Sequence, residues 1–594
     1  MNYDYPWLRA ISRYDWDYLK RTIRRYPRRK TATSLAVFVL FIYLCTRNGS
    51  QSNLTSAQKC LHAKILQWNA NFERGDFGAN KSAVHFVGNG HFSVDKDYQL
   101  RFGKIDSSIQ NLPSGFVPVV VSRPEVTYDS AGETFTDFND GILHEVNCYS
   151  VENDCVCVKN SLYAHRTRED VFVQELEVNN PTKNSVRLTS GRAKPSSDWV
   201  VDNRDDATVF TKKFIGEKKV ASVMCTEASD TITISQRREE TIRFTCVIKS
   251  SNTQEGISDD VALQSLRKKT VDVFSQLPDS KVVDKEHREG WQKVHRPYYG
   301  IGKSLAPDIL NGDRINATKY IILSNTIFIN DDLPSFQISL KNAQNTDHCY
   351  TGHSTLLYPS RLWDSWDTTE SLLHLADTWK ITLEKRGCED TIKLGAYGVS
   401  QAFVQSLAAC SFHDSHLEIG LDASDLHRSV TFGGVPIYGA VSIVGYVNVA
   451  INIDNDNRPY FLVSSTAELY ACEAGCLTDP VLLGKNPTRI PIKVTKPVTS
   501  LLYVATNRRH LQLLRSAIHV AEVDVAPAHE QEILDLHKSG GSGGLPTHFW
   551  VFLIAVLIIF HLFLAKLLWN EWRKDDMTPY NPYLKSRYSS LRSH

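Results

Sequence analysis

The chain carries almost no net charge: 67 basic and 66 acidic side chains over 594 residues leave a formal +1. That balance excludes nucleic acid as the main partner, because a protein that reads phosphate backbones concentrates positive charge on its working surface. The spacings that announce common chemistries are missing too. There is no G-x-S-x-G elbow, no P-loop and no H-E-x-x-H helix. No C-x-x-C or Cys/His ligand spacing occurs, so no metal is expected, and no motif implies a cofactor. Nothing in the composition marks disorder or a fibrous repeat, and the length suits roughly two or three domains.

Positive charge is instead gathered at one end. Lys20, Arg21, Arg24, Arg25, Arg28, Arg29 and Lys30 lead into the apolar run TATSLAVFVLFIYLCT at 31–46. The long basic head, and the lack of an A-x-A pattern before Arg47, favour an uncleaved signal anchor over a cleavable signal peptide. Its 16 residues suit the thinner bilayer of the early secretory pathway. A second run, FWVFLIAVLIIFHLFLAKLLW at 549–569, is long enough to cross and has tryptophan at its borders, as an interfacial belt would. Within it Lys566 reads as snorkelling to the headgroups and His561 as lying near the interface, rather than as an intramembrane proton site. Basic residues before the first run and at Arg573 and Lys574 after the second predict two spans with both termini cytoplasmic. The intervening part, about 500 residues, then lies in the lumen of the endoplasmic reticulum or Golgi.

A lumenal location carries expectations of its own. Sequons stand at Asn48, Asn53, Asn80 and Asn316, all between the runs. Eleven of the 12 cysteines lie there as well. In an oxidising compartment most should pair; Cys225 with Cys246, Cys472 with Cys476, and Cys148 with Cys155 or Cys157 are plausible local bridges. An odd count leaves at least one thiol over.

Hydrophobic periodicity then orders the lumenal part. From 58 to 276 the pattern has period two, in VFVQELEVNN, KKVASVMCTE, DTITISQRRE and ETIRFTCVIKS, which predicts a large antiparallel sandwich. Helical spacing follows over 285–410, in KEHREGWQKV, INATKYIILSNTIF, TTESLLHLADTWKITLE and YGVSQAFVQSLAAC. Strands return over 411–525 as a smaller sandwich, with GGVPIYG read as a hairpin corner. A tether at 526–548 joins the membrane run at 549–569, with cytoplasmic ends at 1–30 and 570–594. The fold class expected is therefore mainly β with a helical insert and two transmembrane helices.

That order, and several motifs, resemble the glycoside hydrolase clan that holds maltose and trehalose phosphorylases and glucosyl-galactosyl-hydroxylysine glucosidase. VGNGHFSV at 87–94 looks like an early strand of that clan with its Gly-Asn-Gly turn. The segment with His287, Trp291 and Arg296 looks like its linking helix. Gly352-His353 followed by Trp363-Asp364 resembles its Gly-His-x-Phe-Trp-Asp segment with nine residues inserted where the clan has two. The stretch 394–422 resembles its last barrel helix entering the C-terminal sandwich.

Length limits what that resemblance can carry. A barrel of twelve helices needs about 200 residues, whereas 126 lie from Lys285 to Cys410. Most of the barrel, including the clan's general-acid glutamate, has no counterpart. As a whole the chain also resembles an animal membrane-protein family defined by a domain of unknown function, which implies location rather than chemistry.

The stretch CYTGHSTLLYPSRLWDSWDTTE at 349–370 is accordingly read as a remnant. Its charged residues are expected to cap a helix at Asp367 or Thr368 more than to catalyse. Gly352, His353, Trp363, Asp364, Trp366 and Asp367 are the candidate glycan-binding residues, with no catalytic residue assigned. The function expected is a membrane-anchored, non-catalytic scaffold binding glycans or glycoprotein clients. An active hydrolase or phosphorylase using carboxylates near Asp364, and a structural partner of another membrane protein, are the alternatives.

Overall fold

A computed structural model describes residues 54–71, 84–103, 109–151, 154–204, 207–253, 258–331, 334–345, 349–357, 359–413, 415–438, 443–539 and 547–575. The apolar run at 31–46 and the sequons Asn48, Asn53 and Asn80 lie outside the described residues. The chain forms two units, Met1–Lys285 and Glu286–His594.

In the first unit the alternating segments pair as an eight-stranded antiparallel sheet. Its order is Val200–Arg204, Ala207–Phe214, Lys219–Cys225, Arg238–Asn252, Val171–Asn180, Asp154–Ala164, Ile142–Val151 and Asp129–Asp137. Because successive side chains point to opposite faces, Val156, Val158, Leu162, Phe172, Leu176 and Val178 share one buried face. A three-stranded sheet of Thr231–Ile234, Val186–Arg192 and Val120–Pro124 contributes to the core along part of that face. Gln174 is polar on the same face and binds the neighbouring backbone. Its Oε1 accepts from the Val120 N–H at 2.7 Å, and its Nε2 donates to the Val120 carbonyl at 2.7 Å and to Asn160 Oδ1 at 2.9 Å.

The same two-residue period sets the cross-strand disulfides. Cys225 stands opposite Cys246, and Cys148 opposite Cys157, with Cα atoms 4.0 and 4.1 Å apart, and both pairs are bridged. Of the two partners open to Cys148 the fold takes Cys157. Cys155 instead binds Cys60 of the helix Ser56–Asn71, a pairing across 95 residues that no local spacing announced. Cys349 joins Cys388, Cys472 joins Cys476, and Cys410 is a buried free thiol.

A helix at Asp259–Ser275, capped by Ser258, packs on the strands Lys219–Cys225 and Arg238–Asn252 inside the stretch that periodicity assigned to strands. Only Leu266 and Thr270 of it are buried, so its apolar stripe is too thin to read.

In the second unit the segments with helical spacing form helices at Ser280–His295, which begins in the first unit, and at Gly312–Ser324, Thr369–Leu383 and Ala396–Leu407. Ala396–Leu407 is buried nearly all round. It packs on Gly312–Ser324 and Thr369–Leu383 and on strands of two five-stranded sheets. One sheet runs Tyr298–Ile301, Val430–Tyr438, Ile443–Ile453, Pro459–Ser465 and Thr488–Pro491; the other runs Cys410–His413, His416–Ile419, Leu502–Ala505, Leu469–Glu473 and Val481–Leu483. Gly433 and Gly434 are not at a hairpin corner. They lie inside Val430–Tyr438, where the register shifts between Phe432 and Val435. Gly434 has φ +68°, and a Cβ there would stand 2.3 Å from the Arg296 carbonyl oxygen, so the bulge needs glycine.

Two short helices that alternation concealed follow, Arg508–Ala517 and Gln531–Ser539, the latter inside the stretch read as a tether. Finally Thr547–Asp575 contains the 25 residues Phe549–Arg573, long and apolar enough to cross a membrane. At 1.5 Å per residue that is about 37 Å, against a hydrocarbon core of about 30 Å. It is the one such helix among the described residues. His561 Nδ1 lies 2.7 Å from the Leu557 carbonyl of its own helix.

Candidate functional site

The candidate site is built on the stretch 349–370, and the fold separates its residues into two groups. Thr368 caps the helix Thr369–Leu383 in a reciprocal arrangement with Ser371, so the cap is Thr368 and not Asp367. Asp367, just before the cap, and Glu370, on the first turn, are left exposed. Gly352 and His353 are exposed as well. Gly352 has φ +142°, and a Cβ would approach the Arg386 guanidinium at 3.1 Å, so its glycine serves backbone geometry. Trp366 lies beneath the Arg314 guanidinium, 5.5 Å from ring centre to charge.

Trp363 and Asp364 are brought somewhere else. The Trp363 indole N–H donates to the Thr355 carbonyl at 2.7 Å, and its ring stands edge-on to the fully buried Trp379 at 5.3 Å. Trp379 packs in turn on Phe403 of the central helix at 4.6 Å. This aromatic stack fixes Trp363 and Asp364 in the wall of a cleft of about 570 Å³.

The rest of the lining was not singled out by sequence. It includes Asp308, Asp422 and Asp425, the cations Arg314 and Arg428, and an apolar floor of Tyr299, Ile301, Ile309, Leu421, Leu426 and Val430. Asp308 holds a left-handed backbone, φ +59°, which aspartate tolerates better than most residues. Burial, reinforced by the neighbouring Asp422, pushes the Asp425 carboxyl above its ordinary range. Burial pushes the Tyr299 phenol up, so it stays a neutral donor.

Both cations have structural work. Arg428 donates to the carbonyls of Gly302 at 3.1 Å and Leu310 at 3.0 Å, and to Asn311 Oδ1 at 3.2 Å, and burial lowers its pKa. Arg314 donates to the Trp363 carbonyl. The cleft therefore presents four carboxylates on an apolar floor, with its two guanidinium groups already engaged.

The signal for these residues was present only as turn chemistry. SLAPDILNGDR and GLDASDLHR read as loops, and nothing local says that the two loops face each other. Among the described residues no cluster of His, Cys, Asp and Glu has the geometry of a metal site. Asn316 is half-buried in the helix Gly312–Ser324, unlike the surface loop that favours glycosylation.

The fold and site define a disulfide-linked, mainly β protein with a polar cleft and, among the described residues, one helix apolar enough to cross a membrane. Residues 17–591 match the family described as an uncharacterized conserved protein, DUF2152, and the chain belongs to it. It is 29% identical over 561 residues to the uncharacterized protein KIAA2013 homolog of Xenopus tropicalis, covering 86% of this chain and 88% of that one. The Xenopus laevis homolog is 27% identical over 593 residues, covering 92% and 95%. Among solved structures the chain is distantly similar to a human-microbiome protein provisionally named a kojibiose phosphorylase. That match has a TM-score of 0.31 and 9% identity, over 52% of this chain and 46% of the other.

Proposed function

We propose that the region between the two apolar runs is a non-catalytic saccharide-binding module, held at the membrane of the endoplasmic reticulum or Golgi with both termini cytoplasmic. Its clients are glycans or glycoproteins. On this reading the helical region is the remnant of a glycosidase-like barrel, in keeping with the shortage of residues between Lys285 and Cys410. The observation that carries the reading is the cleft itself, where Trp363 and Asp364 meet Asp308, Asp422 and Asp425 over an apolar floor. Carboxylates accept the hydroxyl donors of a sugar, and apolar and aromatic surface takes its C–H faces. The disulfides and the apolar helix support a lumenal, membrane-anchored setting.

One observation favours catalysis as the second reading: Asp425, with its raised pKa, shares the cleft with Asp364 and Asp422, as a general acid would share a site with a second carboxylate.

The test is a glycan array and a glycosidase and phosphorylase panel on the full chain in detergent, beside its Asp364→Ala, Asp425→Ala and Asp367→Ala forms. Binding without turnover, weakened about tenfold by the first two substitutions and unchanged by the third, is the expected result. Turnover abolished at Asp425 would replace it with the enzyme reading. Silence in both assays would leave a membrane-protein partner as the function.

A further inference from the structure

A second cluster stands next to the cleft in the fold, outside its lining residues. His427 lies between Leu426 and Arg428, both of which line the cleft. Its ring packs edge-on against His529 at 4.7 Å and stacks on His537 at 5.9 Å. His529 and His537 belong to the segment that precedes the membrane-crossing helix. His537 is on Gln531–Ser539, and residues 540–546 separate that helix from Thr547–Asp575.

The same segment reaches the loop at 302–311. His537 Nδ1 lies 2.9 Å from the Ser304 hydroxyl, and the His537 carbonyl accepts the Leu305 N–H at 2.8 Å, just before Asp308, Ile309 and Leu310 of the cleft. It is also held where the His529 N–H donates to the Asn457 carbonyl at 2.8 Å. The segment 529–539 thus touches both loops, which Arg428 also joins directly.

We propose that His427, His529 and His537 form an acid-sensitive latch that docks the helix Gln531–Ser539 across both cleft walls at neutral pH and releases it on acidification. Three rings packed on one another tolerate one positive charge poorly and three worse, and Arg428 adds a fixed cation beside them. Burial comes first among the causes holding all three imidazoles below their ordinary 6.5. His537 and Arg428 then act on His427, His427 acts on His529, and Arg428 acts on His537. Asp425 and a hydrogen bond to the Ser424 backbone oppose them at His427, and a hydrogen bond to the Leu426 backbone opposes them at His529. From the remaining elements the direct contacts are neutral: the Ser304 hydroxyl and the Asn457 carbonyl.

The sign follows from these directions. Groups whose pKa is lowered by docking are neutral when docked, so docking is complete above 6.5 and weakens as pH falls below that value. Release would loosen Asp425, Leu426 and Arg428 on one side and Asp308 on the other, freeing any bound client. The latch holds whatever ligand the cleft takes.

The experiment is hydrogen exchange read by mass spectrometry on the full chain in detergent micelles, at about pH 7.5 and about pH 5.5, corrected for the intrinsic pH dependence of exchange. Amides of Gln531–Ser539 and of Leu305 should lose protection about tenfold or more at the lower pH, while the helix Asp259–Ser275 keeps its own. A variant carrying His427→Asn, His529→Asn and His537→Asn should show no such difference. Equal protection at both pH values in the unaltered protein, or an undiminished loss in the triple variant, would overturn the proposal. If the triple variant does not fold, His537→Asn alone decides. Its amide can keep the Ser304 bond, and release must then move to lower pH; an unmoved transition would sink the latch.

Discussion

The two units use polar side chains to opposite ends. In the first unit such groups are consumed by the fold: Gln174 ties Val120 to the large sheet, Asp95 accepts from the Arg101 guanidinium at 2.6 Å, and Glu145 accepts from Tyr98 and Asn160 at 2.7 and 3.1 Å. Each of these bonds joins a side chain to another strand or turn, so its return is a fixed register. In the second unit the carboxylates of Asp308, Asp364, Asp422 and Asp425 face an open cleft, and the guanidinium groups that could neutralise them are spent on backbone carbonyls. Asp422 also accepts from the Ser424 N–H and hydroxyl at 2.9 and 2.7 Å, so the two sets differ in exposure and in how far along the chain their bonds reach, not in residue type.

The contrast can be broken at several places. The largest effect is expected at Trp379→Ala, which removes a fully buried indole from the stack behind Trp363 and should cost the second unit about 3–5 kcal/mol in chemical denaturation. If stability held, the aromatic stack would not be what positions the cleft wall. Gln174→Met in the first unit keeps the volume but leaves both Val120 backbone groups unpaired, and about 1–3 kcal/mol should be lost. A neutral result there would show that the buried amide does not fix the sheet. Thr368→Ala removes the helix cap, and a loss of about 1 kcal/mol is expected with saccharide binding unchanged. Smallest in stability is Asp364→Ala, within about 0.5 kcal/mol by the same denaturation, because no fold-forming bond depends on this exposed side chain. A large destabilisation at Asp364 would place it with the first unit's structural carboxylates and remove it from the site.

How far sequence reached differs between the units for a related reason. Period-two alternation is a local signal, and it found Val171–Asn180 and Lys219–Cys225, and with them the pairing of Cys225 with Cys246, because adjacent strands repeat the same spacing. It missed Asp259–Ser275 and Arg508–Ala517, whose buried faces amount to one or two side chains. At the site, composition singled out Trp363 and Asp364, which line the cleft, together with Gly352, His353, Trp366 and Asp367, which do not. Aromatic and acidic density cannot tell a wall from a cap, since both are served by the same residue types in the same order.

What the sequence by itself determined is what neighbours along the chain decide: alternating strands, amphipathic helices, an apolar run long enough to cross a membrane, and cysteines enough for several bridges. Tertiary structure alone decided that Cys155 would reach Cys60, that the loops at 302–311 and 421–430 would meet through Arg428 and share a cleft with Asp364, and that three histidines from two distant segments would meet beside them. Such pairings depend on how sheets and helices pack after they form. Side chains 95 residues or more apart share no periodicity that could announce their contact.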